Sequence, residues 1–129
     1  MDKIYISDSN IKNAGKGIFA KANLNAGVKL GEYIGKRYSS EDYYNFDIDL
    51  PENKYVMAVF KKDQLSALID GLDGGNWTRL LNGAKTNRQR KLINCEFYQY
   101  NQRIFVRTLV EIKKDEELII DYGPSYNWH

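Results

Sequence analysis

GGNWTRLLNGAKTNRQRKLINCEF, from Gly74 to Phe97, is the stretch on which the fold turns. Two glycines open it, Asn76 stands beside Trp77, and Arg79 and Asn82 bracket the apolar pair Leu80 and Leu81. Buried amide and guanidinium groups need hydrogen-bond partners, so this stretch must be wired to segments elsewhere in the chain. A basic run then follows, Lys85, Arg88, Arg90 and Lys91, before Asn94-Cys95-Glu96-Phe97 resumes as a strand.

Moving outward, 129 residues suit one domain with a single core. A net charge of +2 gives no general pull toward nucleic acid, so any charge argument rests on local clusters. One cysteine (Cys95) and one histidine (His129) exclude a Cys/His zinc site within the chain and an intramolecular disulfide. A Ser-His-Asp or Cys-His arrangement would have to use the final residue. The opening MDKIYISDSN lacks the apolar core of a signal peptide, and runs such as Tyr55–Phe60 are too short to cross a bilayer. The expectation is an intracellular protein without a membrane association, in cytoplasm or nucleus.

Helical periodicity is scarce. Residues 3–7, 16–20, 28–35, 54–60 and 66–70 read as strands punctuated by Gly or Asn. Cys95–Tyr100, then Asn101-Gln102, then Arg103–Val110 reads as a hairpin, and Glu117–Asp121 as one more strand. Ser39-Ser40 is placed to cap a helix through SSEDYYNF, and a short turn fits Asn76 to Leu81. The pattern predicts a compact, mostly β domain with one or two short helices.

Four motifs occur in order. Gly15-Lys16-Gly17 lets backbone approach a ligand, although alone such a pair is an ordinary hairpin turn. Gly31-Glu32-Tyr33-Ile34-Gly35 is, by itself, a strand with a half-buried Tyr. Gly75 to Asn82, leading to Asn94-Cys95-Glu96-Phe97, is the third. The fourth is Asp115-Glu116-Glu117-Leu118-Ile119-Ile120-Asp121-Tyr122-Gly123, with Tyr126 and Trp128 beyond it.

Together, from Gly15 to Trp128, these motifs resemble the SET-domain family of protein lysine methyltransferases, and most closely its PR-type branch. There NW-x-R-x-x-N leads into a charged insert like Gly83–Ile93 in place of His-Ser. The resemblance implies a single SET-like domain over 1–129, with small curved sheets and a C-terminal pseudoknot. A variable substrate-facing insert would span about 37–65 and a tail 123–129. It implies S-adenosyl-L-methionine as cofactor and S-adenosyl-L-homocysteine as product. Tyr122 and Tyr33 match the catalytic and channel tyrosines. Gly15, Lys16, Gly17, Asn82, Gly83, Tyr122 and Trp128 (or Tyr126) match the cofactor-binding positions. Phe97, Ile120, Val106 and Tyr33 match the substrate channel. Asn76 and Arg79 would be struts beneath the cofactor floor. No metal is implied.

The expected substrate is a protein with a target lysine, such as a histone tail, drawn by the acidic stretch Glu41, Asp42, Asp47, Asp49 and Glu52. A solvated surface would carry the same acids. The basic run 85–91 reads as a solvated loop before it reads as a nucleic-acid contact. Neither Phe97 nor Ile120 carries a hydroxyl, so the channel should admit di- or trimethyllysine. A monomer and a homodimer both fit. Gly83, standing where the wider family has His, keeps open a catalytically silent SET-like binding module.

Overall fold

The computed structural model describes residues 2–41 and 55–121. Its described residues form ten strands in three small sheets, with one turn of 3-10 helix and one of α-helix. β1 (Ile4–Asp8) and β2 (Lys16–Ala20) form an antiparallel hairpin in which Ile4 faces Ala20 and Asp8 faces Lys16. A five-stranded sheet runs β3-β9-β8-β10-β7, from β3 (Lys29–Glu32), β7 (Asn82–Gly83), β8 (Cys95–Tyr100), β9 (Arg103–Thr108) and β10 (Ile119–Asp121). A three-stranded sheet runs β4-β6-β5, from β4 (Lys36–Ser39), β5 (Val56–Lys61) and β6 (Gln64–Asp70).

The opening stretch decides the topology. β10 lies between β7 and β8 and is parallel to both, with Ile119 beside Asn82 and Ile120 beside both Gly83 and Cys95. The chain from 84 to 94 that joins β7 to β8 therefore bridges the last described strand. This is the threaded, pseudoknot-like arrangement that the family resemblance implies. A strand flanked on both sides by parallel partners is buried on both faces and reads as a continuous apolar run. Leu118, Ile119 and Ile120 are such a run, all at 3% exposure or less.

Asn94 holds the crossing together. It is buried, its Nδ2 donates to the carbonyl of Glu117 at 2.9 Å, and its Oδ1 accepts from the backbone N–H of Ile119 at 2.8 Å. Its own N–H donates to the Ile119 carbonyl at 3.0 Å. One side chain thus stands in for ladder bonds where β10 enters the sheet. The main core forms around this crossing from Ile18, Leu81, Cys95, Val106, Leu118 and Ile120. A second cluster (Tyr33, Met57, Val59, Ile69, Ile104) couples the three-stranded sheet to it through Phe97, which packs against both.

The structure departs from the sequence expectations at several places. The strand expected over 28–35 stops at Glu32, because the chain turns at Gly35, where a Cβ would sit 2.1 Å from the Asp70 carbonyl oxygen. It resumes as β4, which the sequence reading did not separate. Within the span 37–65 expected as a variable insert, the described residues hold most of β4, all of β5 and the start of β6, and residues 42–54 lie outside the described residues. The basic stretch taken as a solvated loop holds α1 (Asn87–Arg90), closed by a capping box between Thr86 and Gln89. The turn expected from Asn76 to Leu81 is a 3-10 turn, Trp77–Leu80, between those residues as caps. Of the helix expected after Ser39-Ser40, Ser40 and Glu41 are helical and the remainder lies outside the described residues. No described helix is long and apolar enough to cross a membrane.

Candidate functional site

The two glycines of the first motif are glycines for different reasons. Gly15 has φ of +72°, where a side chain is strained, and open space lies where its Cβ would be. Gly17 sits in β2 with ordinary backbone, but a Cβ there would lie 2.3 Å from Oε2 of Glu117 and 3.1 Å from Nδ2 of Asn82. Gly15 therefore shapes the turn and leaves its surface clear, whereas Gly17 makes room for a carboxylate.

That carboxylate joins three of the distant motifs. Glu117 is 7% exposed. Its Oε2 accepts from Ser9 Oγ at 2.7 Å and from Asn82 Nδ2 at 3.2 Å, and its Oε1 accepts from the Asn10 N–H at 2.9 Å. Asn82 Nδ2 also donates to the Lys16 carbonyl at 3.0 Å. Ser9 in turn receives the Ile11 N–H on its hydroxyl and closes the β1–β2 loop by donating its own N–H to Gly15. The glycine turn, the Asn-rich segment and the Glu-Glu-Leu segment thus meet at one buried side chain. Burying a carboxylate is costly unless its lone pairs are filled, and three donors fill them here.

Both acceptors around Asn82 Nδ2, a carbonyl and a carboxylate, require nitrogen at that position, which fixes the amide orientation. Asn82 is half-buried, and among the described residues its Oδ1 receives no donor. Gly83, next in β7, is buried beside Ile120.

Asn76 and Arg79 are tied to backbone. Asn76 Nδ2 donates to the Glu32 carbonyl at 3.1 Å, and its Oδ1 caps the 3-10 turn by accepting from the Thr78 N–H and hydroxyl. Arg79 donates to the carbonyls of Gly71 and Leu72, both at 3.2 Å. They strap the Asn-rich segment to β3 and to the turn after β6.

The expected channel residues are brought together. Tyr33 is 3% exposed; its ring meets Phe97 edge-on at 5.6 Å between centroids, and its hydroxyl donates to the Tyr55 carbonyl. Phe97 is half-buried and faces Val106 across the β8–β9 ladder. Val106 and Ile120 have no exposed surface and belong to the core beneath. Tyr122, Tyr126 and Trp128 lie outside the described residues, as do Asp42, Asp47, Asp49 and Glu52 of the acidic stretch.

A hollow of about 190 Å³, bounded by Asp2, Lys3, Ile4, Leu30 and Trp77, contains none of the expected site residues. Among the described residues no group of three or more His, Cys, Asp or Glu side chains is arranged to hold a metal ion.

Glu117 was not singled out from the sequence, although it stands in the fourth motif. The available signal was its place directly before Leu118-Ile119-Ile120, a run buried on both faces. A carboxylate entering such a strand is drawn inside and must be met by donors.

Comparison with known proteins places residues 4–129 in a match to the family described as PR domain zinc finger protein 2, PR domain. The chain is 29% identical over 124 residues to the histone-lysine N-methyltransferase set-17 of Caenorhabditis elegans, covering 94% of this chain and 41% of that protein. It is 28% identical over 111 residues to human PR domain zinc finger protein 14, covering 85% of this chain and 18% of that protein. The chain therefore spans less than half the length of these relatives. Among solved structures, it overlays the methyltransferase domain of human PR domain-containing protein 2 with a TM-score of 0.74 at 23% identity, covering 95% of this chain and 78% of that one. It also overlays a chain of ctPRC2 in an autoinhibited conformation bound to S-adenosylmethionine, with a TM-score of 0.72 at 20% identity over 97% of this chain and 16% of that one.

Proposed function

Because the chain belongs to the PR-domain family of PR domain zinc finger protein 2, we propose that it is an S-adenosyl-L-methionine-dependent protein-lysine N-methyltransferase acting on basic, histone-like tails. The observation that carries this reading is the meeting of the Gly15–Gly17 turn with Asn82 at Glu117. The turn is clear of side-chain atoms at Gly15, and the adjacent Asn82 presents an acceptor oxygen, Oδ1. Together they suit a ligand with a cationic amine and polar edges. S-adenosyl-L-methionine, when bound, supplies a methyl group made electrophilic by its sulfonium.

The chain's own part is to hold, orient and desolvate. Backbone of Gly15, Lys16, Gly17 and Gly83 would line the cofactor side, with Asn82 Oδ1 as acceptor, and Trp128 or Tyr126 would serve the adenine. Tyr33 and Phe97 form the wall along which the lysine enters, with Val106 and Ile120 backing it. A lysine with reference pKa near 10.4 costs about 4–5 kcal/mol to deprotonate at pH 7. An apolar channel shifts that pKa downward by disfavouring the ammonium. In-line transfer to an amine so prepared needs alignment more than a general base, and Tyr122 would supply a hydroxyl to orient it. A histone substrate would put the protein in a nucleus.

Thermal unfolding with S-adenosyl-L-homocysteine is the first test: ligand at 100 times its Kd should stabilise the fold by about 2.7 kcal/mol. Incubation with core histones and labelled cofactor, read by mass spectrometry, should then give di- or trimethyllysine. Tyr122→Phe should keep cofactor binding and lose transfer by more than about tenfold. Equal turnover by that variant would overturn the role of Tyr122, and exclusive monomethylation would overturn the reading of Phe97 and Ile120. Gly83, in place of the histidine of the wider family, favours the second reading of a silent binding module. Cofactor binding without transfer to any histone would support it.

A further inference from the structure

The geometry assigns to Glu117 the setting of Asn82: its carboxylate holds the amide nitrogen inward so that the amide oxygen faces the cofactor. This positioning role rests on the cofactor reading above and goes beyond it, since Glu117 itself lies on the protein side of Asn82.

Asn82 has two ends of opposite polarity and nearly identical shape, and a ligand amine is recognised only by the oxygen end. What chooses the end is the pair of acceptors behind it, the Lys16 carbonyl at 3.0 Å and Glu117 Oε2 at 3.2 Å. The carbonyl belongs to the same turn that the cofactor would touch, so it cannot select independently of that turn. Glu117 adds a second acceptor from a different segment of the chain, held in place by Ser9 Oγ and the Asn10 N–H at the base of the β1–β2 loop. The absence of a Cβ at Gly17 is what lets Oε2 reach this position.

Glu117→Gln tests the idea with almost no change in shape. A glutamine must present its NH2 either to the Asn10 N–H or to the Ser9–Asn82 side. The first leaves two donors facing each other. In the second, the Ser9 hydroxyl can rotate to accept, but Asn82 must flip and turn its own NH2 toward the cofactor. Either outcome weakens recognition. The expected result is a rise of about tenfold or more in the Kd for S-adenosyl-L-homocysteine by calorimetry, the scale of one misplaced buried hydrogen bond. The KM for the histone substrate should stay unchanged.

Since Glu117 acts through Asn82, Asn82→Ala should abolish the effect. The double variant should bind within about twofold of Asn82→Ala alone. Ile112→Val, in the core away from this cluster, provides the stability comparison: it should lower Tm and leave the Kd unchanged. If Glu117→Gln does not fold, wild-type NMR reads the same point. The Asn82 side-chain NH2 signals should show slow exchange and little shift on ligand addition, and large shifts there would mean that nitrogen faces the cofactor. Wild-type protein that binds no S-adenosyl-L-homocysteine would overturn the cofactor reading and this role with it. Wild-type binding with an indifferent Glu117→Gln, or additive effects in the double variant, would overturn the positioning role alone.

Discussion

Cys95 illustrates how a single residue is decided by its place. It has no exposed surface, and burial pushes its thiol up to about 12. It opens β8 beside Ile120, so the sulfur packs as a small apolar group at the strand crossing. A thiol value raised in the folded state leaves stability intact below the unfolded value near 8.5 and lowers it progressively as pH rises toward 12. Ellman's reagent should therefore leave native protein unlabelled at pH 8 and modify one equivalent in denaturant. Rapid labelling of the native protein would show that β8 and β10 part readily. The sequence alone announced one cysteine and no partner for it; only the crossing makes it inert.

At the scale of elements, the hairpins show where local sequence and local geometry disagree. β5 and β6 are joined by Lys62-Asp63, with φ of 51° and 66°, and β8 and β9 by Asn101-Gln102, with φ of 52° and 61°. Two left-handed residues in a row suit the right-handed twist of a hairpin and favour glycine at the second position. Gln102 is compensated, since its carbonyl accepts from Arg37 and its side chain from Ser66. Asp63 is exposed and, among the described residues, has no such return. Asp63→Gly should raise stability by about 0.5–1 kcal/mol, seen as a Tm higher by a few degrees. A lower Tm would mean that the Asp63 carboxylate contributes more than its backbone costs. α1 teaches the complementary lesson. Thr86-x-x-Gln89 is a capping signature legible in the sequence, but four helical residues carry no periodicity to draw attention to it.

At the scale of the whole molecule, several surface charges among the described residues are paired locally, with Glu117 a buried exception. Glu32 takes a two-pronged contact from Arg103, which holds its carboxyl below the usual carboxylate range, and Lys16 does the same for Asp8. A lowered value in the folded state means stability that is present above the unfolded values, near 4.3 and 3.9, and is lost as pH falls through the lower folded ones. Urea unfolding should show stability declining below about pH 4. In Glu32→Gln that decline should be smaller by about 0.5 kcal/mol, the order of an exposed ion pair. The difference should shrink in 1 M salt, where screening acts within about 3 Å. An acid decline identical in the variant would remove Glu32 from the account.

What the sequence determined by itself was the set of parts. β2 and β8 begin and end where the turn residues around them require, because strands next to Gly and Asn punctuation are set by short-range sterics. The four motifs and their order likewise carried the resemblance to the family whose model matches residues 4–129. Which parts touch was decided by tertiary structure. Phe97 was legible as a strand residue, but its edge-on contact with Tyr33, 64 positions away in sequence number, exists only because the two sheets pack on it. β7 is two residues long and has no pattern of its own; it is a strand because β10 lies beside it. Glu117 followed the same rule. Its carboxylate is buried because β10 carries it into the crossing, where donors from Ser9, Asn10 and Asn82 are waiting. A single chain read in order shows none of those donors as neighbours, since hydrogen bonds between distant segments leave no periodic trace in sequence.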